Sequence, residues 1–171
     1  MTANPAVRDL IRRGSLGTTV RTGPVIIAGS RDLIVTHAQI TAGFDRLLDE
    51  HDIVCSEVVS GNARGIDRCG EAWAASCGLP VKPFPVTRNE WRRIGPSAGP
   101  LRNGRMADYG IALVAFWDGK STGTVDMINQ MLKRKKPFSV VRVDLPAHIV
   151  KQRQSAARWG DDRRVREREG K

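Results

Sequence analysis

The sequence predicts an α/β fold: a three-layer sandwich around a mostly parallel sheet, with basic extensions at both ends. Three observations predict it. Five short apolar runs of strand length alternate with segments whose apolar residues recur every three or four positions. The alternation is regular from Pro24 to Val143, and glycine or proline punctuates most of its boundaries. Such alternation implies parallel strands joined by right-handed helical crossovers. With 171 residues, 40% of them hydrophobic, the chain suits one domain with a real core, and an aromatic share of 5% makes that core mostly aliphatic.

Residues 1–23 carry a short apolar pattern, Val7, Leu10 and Ile11, and then Gly14, Ser15 and Gly17, which reads as a short helix and a flexible lead-in. The domain proper is taken as 24–145. Pro24–Ala28 is an apolar run stopped by Gly29, the pattern of a buried strand. Thr36 and Gln39 have the spacing of a capping box, and Ile40, Phe44, Leu47 and Leu48 place a helix over His37–Glu50. Glu57–Ser60 is the second strand. Ile66–Cys77 is the second helix, stopped by Gly78 and Pro80. Val81–Val86 is a third strand whose two prolines demote it to an edge. Trp91 anchors a short helical turn, Gly95–Pro100 is a loop, and Leu101–Tyr109 is a helix. Ile111–Phe116 is the clearest strand. Val125, Ile128, Met131 and Leu132 mark a helix ending in Lys133-Arg-Lys-Lys136, cations that suit the negative potential of a helix C-terminus. Phe138–Val143 is the last strand. Residues 146–171 are rich in charge and poor in apolar residues, a solvated helix or disordered tail.

The formal net charge of +10 divides as +3 over residues 1–23, +3 over 24–145 and +4 over 146–171, so most of the excess lies in the flanks. Basic flanks attract phosphate polymers or simply keep a protein soluble. Cys55, Cys69 and Cys77 are odd in number and lack C-x-x-C spacing, which argues against a disulfide framework or zinc site and for a reducing compartment. His37, His51 and His148 stand apart without metal-ligand spacing. There is no apolar run of membrane-spanning length and no secretory pattern at the N-terminus, so the expected location is the cytoplasm, with no metal and no cofactor.

In an open parallel sheet, ligands bind beyond the carboxyl ends of the strands. Three segments fall there. Gly29-Ser30-Arg31 follows the first strand. Ser60-Gly61-Asn62-Ala63-Arg64-Gly65-Ile66-Asp67 follows the second. Trp117-Asp118-Gly119-Lys120-Ser121-Thr122-Gly123-Thr124 follows the fourth and leads into a helix. Each combines glycine, which lets backbone N–H groups approach an anion, with hydroxyls and a cation. Arg31, Arg64 and Lys120 offset ligand charge. Any one loop is ordinary for an α/β protein, but three on one edge favour a phosphate-type ligand. None matches G-x-G-x-x-G or G-x-x-x-x-G-K-[ST], which argues against a dinucleotide dehydrogenase and a P-loop ATPase. Gly99-Pro-Leu-Arg102-Asn103-Gly-Arg-Met106 is a fourth element, in which Arg102 is either a surface ion-pair partner or an inward ligand clamp.

These four segments, in order and at their spacing, resemble the SLOG superfamily, a Rossmann-like group that includes the LOG-type phosphoribohydrolases and the DNA-processing protein DprA. The pattern of its YspA / cpYpsA-related branch runs G-S-R, S-G-x-A-R-G-x-D, G-P-x-R-N-x-x-M and a glycine-rich G-T turn, and the resemblance spans residues 24–143. It implies a bacterial-type or phage setting and binding of a nucleotide or nucleotide-derived molecule by a homo-oligomer. In the LOG branch the P-G-G-x-G-T-x-x-E motif ends in a glutamate that assists N-glycosidic cleavage. Aligned on Gly123-Thr124, that position is Met127 here, and Asp126 one residue earlier is expected to point elsewhere.

Three functions compete. The first is binding or sensing of a nucleotide derivative through the loops. The second is N-glycosidic hydrolysis, with Asp67 or Asp126 as the weak catalytic candidates; against it stands the reading of Asp67 as a carboxylate that holds its own loop or pairs with Arg64. The third is DprA-like nucleic-acid binding through the basic flanks and Lys133–Lys136, although single-strand binders usually add aromatic platforms and this chain has few. Trp73, spaced with Cys69 and Cys77, reads as packing, whereas Trp117 at the mouth of the fourth strand either packs or stacks on a base.

Overall fold

A computed structural model describes residues 19–144. The short helix expected around Val7–Ile11 and the charged segment 146–171 lie outside the described residues. The elements are β1 (Arg21–Gly29), α1 (His37–His51), β2 (Ile53–Ser60), α2 (Ile66–Ser76), β3 (Val81–Pro83), α3 (Arg88–Ile94), a 3-10 turn (Gly95–Ser97), α4 (Ala98–Tyr109), β4 (Ala112–Trp117), α5 (Thr122–Lys133) and β5 (Phe138–Arg142). The strands form one sheet in the order β3-β2-β1-β4-β5, and every neighbouring pair is parallel. The Rossmann-like three-layer α/β architecture is therefore as the sequence predicts.

Alternation along the central strands builds the two outer layers. Val25 and Ile27 of β1, with Val114 and Phe116 of β4, point to the face covered by α1 and α2, where Ile40, Phe44, Leu47 and Trp73 are buried. Ile26, Leu113 and Ala115 point to the other face, where Met106 of α4 and Met127 and Met131 of α5 cover them. Trp73 stacks on Phe44 with ring centroids 4.4 Å apart, and its Nε1 donates to Thr41 Oγ1 at 3.0 Å, so it packs. From β1 the chain winds outward to β2 and β3, then returns to β4 on the other side. This reversal opens a crevice at the carboxyl ends of β1 and β4.

Local signals held best where they depend on neighbours in sequence. The Thr36 hydroxyl accepts from Gln39 N at 3.2 Å and Gln39 Oε1 accepts from Thr36 N at 2.9 Å, the predicted capping box of α1. Several boundaries differ from expectation. β1 begins at Arg21, before Pro24, and its pairing with β2 shifts register between Gly23 and Pro24. The irregularity accommodates a proline, which has no N–H for the ladder. β2 begins at Ile53, directly after Asp52 caps α1 in the left-handed conformation. β3 is a three-residue edge strand. The predicted loop Gly95–Pro100 is instead the 3-10 turn and the start of α4, with Pro100 in the first turn, where a missing N–H costs little. α5 starts at Thr122, capped by the Ser121 hydroxyl, and ends at Lys133.

Lys136, predicted to serve the end of α5, turns to a different helix. Its Nζ donates to the carbonyls of Ala107, Asp108 and Gly110 at 2.7, 3.0 and 2.8 Å, closing the C-terminus of α4. Lys136→Met keeps the aliphatic stem and removes all three bonds. It is expected to cost about 2 kcal/mol of stability, on the scale of hydrogen bonds to a charged donor, measured by urea denaturation.

Candidate functional site

The loops after β1, β2 and β4 meet α3 and α4 around one cavity of about 670 Å³ at the carboxyl edge. That size is ordinary for a small-molecule site. From the β1 loop, Gly29, Ser30 and Arg31 line it. Ala63, Arg64 and Asp67 come from the β2 loop and the start of α2. Arg102 and Asn103 come from α4, and Lys120, Ser121, Gly123 and Thr124 from the loop before α5 and that helix's first turn. Asp126 and Met127 complete the wall on α5.

The other predicted residues stand behind this lining. The Ser60 hydroxyl, buried, donates to Glu71 Oε1 at 2.7 Å and accepts from Asn62 N at 3.0 Å. A Cβ on Gly61 would overlap the guanidinium of Arg102. Gly65 adopts φ 79° and lies so close to β1 that a Cβ would meet the carbonyl oxygens of Arg31 and Ser30 at 2.5 and 2.6 Å. Asp118 Oδ1 accepts from the backbone N–H groups of Lys120 and Ser121 at 3.0 and 2.7 Å, shaping the turn that presents α5. Gly119, at φ 77°, passes against Arg142. These five residues build the loops and are not part of the cavity wall.

Arg102 turns inward. Its side chain is 12% exposed and lies across from Asp67, which is 7% exposed, with Nη1 and Oδ2 3.8 Å apart. The same Oδ2 accepts from Ala63 N at 3.1 Å. Arg102 Nε is buried and has no hydrogen-bond partner among the described residues. Burial pushes the Asp67 carboxyl up to about 6, against the lowering effects of the Ala63 N–H and Arg102; burial also lowers the Arg102 guanidinium. Arg64, 77% exposed, pairs with Asp32 Oδ1 at 3.1 Å, not with Asp67. Asp67 does hold its loop, as one reading of the sequence had it, but its cationic neighbour is Arg102.

Asn103 joins the two helices on this side of the sheet. Its Nδ2 donates to Asp126 Oδ2 at 2.7 Å and to the Gly123 carbonyl at 3.3 Å. Asp126 therefore faces the cavity instead of pointing away, because α5 begins at Thr122 and places it at the end of the first turn. Met127, at the position of the LOG-type glutamate, is buried in the sheet-facing layer and borders the cavity floor. Trp117 does not line the cavity: its Nε1 donates to the Ser121 carbonyl at 3.3 Å and its ring lies 5.6 Å from the Arg142 guanidinium. Trp91, 51% exposed on α3, lines it instead, as does Asp32. Neither carried a phosphate-binding signal; Trp91 could have been found only by noting that the crossover from β3 to β4 must pass along the carboxyl edge. Among the described residues, no cluster of three or more His, Cys, Asp or Glu side chains is arranged to hold a metal ion, and no helix is long and apolar enough to cross a membrane.

The model of the YspA, cpYpsA-related SLOG family matches residues 23–93, which contain Gly29–Arg31 and Ser60–Asp67. Gly99–Met106 and Asp118–Thr124 lie beyond the match. No curated protein matches the chain. Among solved structures it is similar to DNA processing protein A (DprA) from Streptococcus pneumoniae, with a TM-score of 0.55 and 16% identity over 77% of this chain; it spans 56% of that protein's length. It is also similar to DprA from Helicobacter pylori, described for its single-stranded DNA binding mode, with a TM-score of 0.50 and 18% identity over 78% of this chain and 72% of that one. At these identities the likeness is one of fold.

Proposed function

We propose that the cavity binds a phosphorylated nucleotide or nucleotide-derived small molecule, as a cytoplasmic binding or sensing module, in a chain whose residues 23–93 match the model of the YspA, cpYpsA-related SLOG family. One observation carries this reading: Arg31, Arg64, Arg102 and Lys120, from four separate segments, surround one cavity together with the N-terminus of α5. The first N–H groups of that helix have no acceptor within the helix, and its dipole adds positive potential. Ala63 and the loop glycines allow close approach of backbone to an anion. Binding fits the site better than N-glycosidic hydrolysis. Met127 replaces the LOG-type glutamate, Asp126 is engaged by Asn103, and Asp67 lies beside Arg102.

The test is to denature the purified full chain and identify the small molecule released by mass spectrometry, alongside a thermal-shift panel of nucleotides. The expected result is an intact nucleotide derivative, or a rise in melting temperature that grows with nucleotide concentration. A free base with a ribose phosphate accumulating on incubation would support hydrolysis.

A second reading, single-stranded nucleic acid, is favoured by the fold likeness to DprA and by α3. There the exposed Trp91 is flanked by the exposed cations Arg88, Arg92 and Arg93. An aromatic face among cations is the usual platform for unpaired bases. In that case an oligodeoxynucleotide binds with affinity falling steeply as salt rises, and Trp91→Ala weakens it.

A further inference from the structure

Asp67 and Arg102 are both deeply buried, yet they do not form the bond their proximity invites. Their nearest atoms are 3.8 Å apart, beyond hydrogen-bond length, and Arg102 Nε is buried with no hydrogen-bond partner among the described residues. A buried guanidinium with an unused donor is costly, and such groups are normally satisfied. Both residues line the cavity, and Gly61 packs where any side chain would push the guanidinium aside. Arg102 is thus held at the cavity wall with donor capacity to spare, beside a carboxylate that only partly offsets its charge.

Resting on the reading of the cavity as an anion site, we propose that Asp67 is an internal counter-ion of Arg102 that a bound oxyanion displaces electrostatically, so that anion capture is accompanied by uptake of a proton at Asp67. Asp67 offsets Arg102 across 3.8 Å. When an oxyanion takes the Arg102 guanidinium as its donor from the cavity side, a second negative charge arrives beside the Asp67 carboxylate. Two anions sharing one buried cation disfavour ionisation of the weaker acid. The Asp67 carboxyl therefore binds a proton, and its O–H becomes a donor to the ligand.

The surrounding charges permit this. Arg31 from the β1 loop and Arg105 from α4 add positive potential near the pair, and Asp126 from α5 adds negative potential on the Arg102 side. On α2 itself, Glu71 faces Asp67, although its oxygens are engaged by Ser60 and by Arg68. Arg64 on the β2 loop is engaged by Asp32. The Asp67 carboxyl, already held near 6 by burial, starts close to the point of protonation at neutral pH. Because ligand raises it further, affinity for the anion strengthens as pH falls toward 6 and levels off below.

The test uses the full chain and sulfate, a tetrahedral dianion that does not itself titrate across this range. Calorimetric titration at pH 7, repeated in two buffers of different ionisation heat, reads the protons taken up. The expected result is net uptake approaching one proton, with sulfate affinity falling toward tenfold per pH unit above about pH 7. In Asp67→Asn the uptake is expected to vanish and the affinity to vary less than about twofold over the same range. If that variant fails to fold, the buffer comparison on the unaltered chain decides alone. Sulfate binding with no proton uptake overturns the exchange and leaves the nucleotide reading standing. Failure of both sulfate and the nucleotide panel to bind at any pH overturns the anion site itself, and the exchange with it.

Discussion

Arg102→Ala is expected to weaken binding of a phosphate-bearing ligand on the order of 100-fold. Hydrogen bonds to a charged group contribute roughly 1.5–3 kcal/mol each, and two-point donation places the loss at or above the top of that range. The guanidinium approaches Asp67 only to 3.8 Å, so a bond to the ligand displaces no short one there. By contrast Arg64, 77% exposed, is expected to contribute less than tenfold when removed, because solvent screens it and Asp32 already engages it. Thermal shifts and calorimetric titration of both variants check this ordering. Arg102→Ala also has a pH signature in stability. Without its cation, the Asp67 carboxyl rises above its value of about 6, further from the unfolded value near 3.8. A carboxyl raised in the folded state favours folding below the unfolded value, and that advantage is lost as pH climbs through the folded one. The variant is therefore expected to be least stable, relative to the unaltered chain, at pH 7–8 and to regain ground toward pH 5, as followed by urea denaturation.

Gly65→Ala is expected to be the most damaging single-methyl addition near the cavity. Gly65 precedes α2 with φ 79° and ψ −127°, a region that residues with a Cβ essentially avoid. The new Cβ would also lie 2.5 Å from the Arg31 carbonyl oxygen, and that backbone belongs to the β1 loop and cannot swing aside as a side chain would. The two penalties add to a loss of roughly 3 kcal/mol or more. The damage reaches the cavity through the backbone, since Ile66 N donates to the Ser30 carbonyl and Asp67 lies one residue further along α2. Gly78→Ala is the contrast. Its φ is 69°, but nothing lies within 4 Å of the added Cβ. It is expected to cost about 1 kcal/mol and to leave ligand binding unchanged.

What the sequence disclosed depended on how local the cause was. The Thr36–Gln39 capping box and the glycine stop after α2 are set by residues a few positions apart, and they read correctly. The sheet could be inferred because alternating period and length leave a parallel, doubly wound arrangement as the natural packing. Arg21 and Ile53 were missed as strand starts because polar or irregular stretches adjoin them, hiding the apolar run that betrays a strand. The Gly95–Pro100 segment has turn composition, yet helical packing against α5 and the tolerance of a first turn for proline overrode it. At the carboxyl edge, the loops after β1, β2 and β4 do line one cavity, as the carboxyl-edge rule leads one to expect. That rule could not show that Asp67 faces Arg102, 35 positions away, or that Arg64 turns to Asp32. Nor could it show that Asp126 faces Asn103, because that depends on α5 starting three residues before its first apolar position. Trp91 lay in a crossover that carried no motif.

An anionic nucleotide is proposed to occupy the Arg102 end of the cavity. Calorimetric titration of the full chain with nucleoside mono-, di- and triphosphates and with a single-stranded oligodeoxynucleotide, at low and high salt, beside Arg102→Ala, decides whether it does. Saturable binding of at least one small nucleotide is expected, with one site per chain, lost in Arg102→Ala and only modestly weakened by salt. Binding of the oligodeoxynucleotide alone, abolished by salt and indifferent to Arg102→Ala, would contradict it.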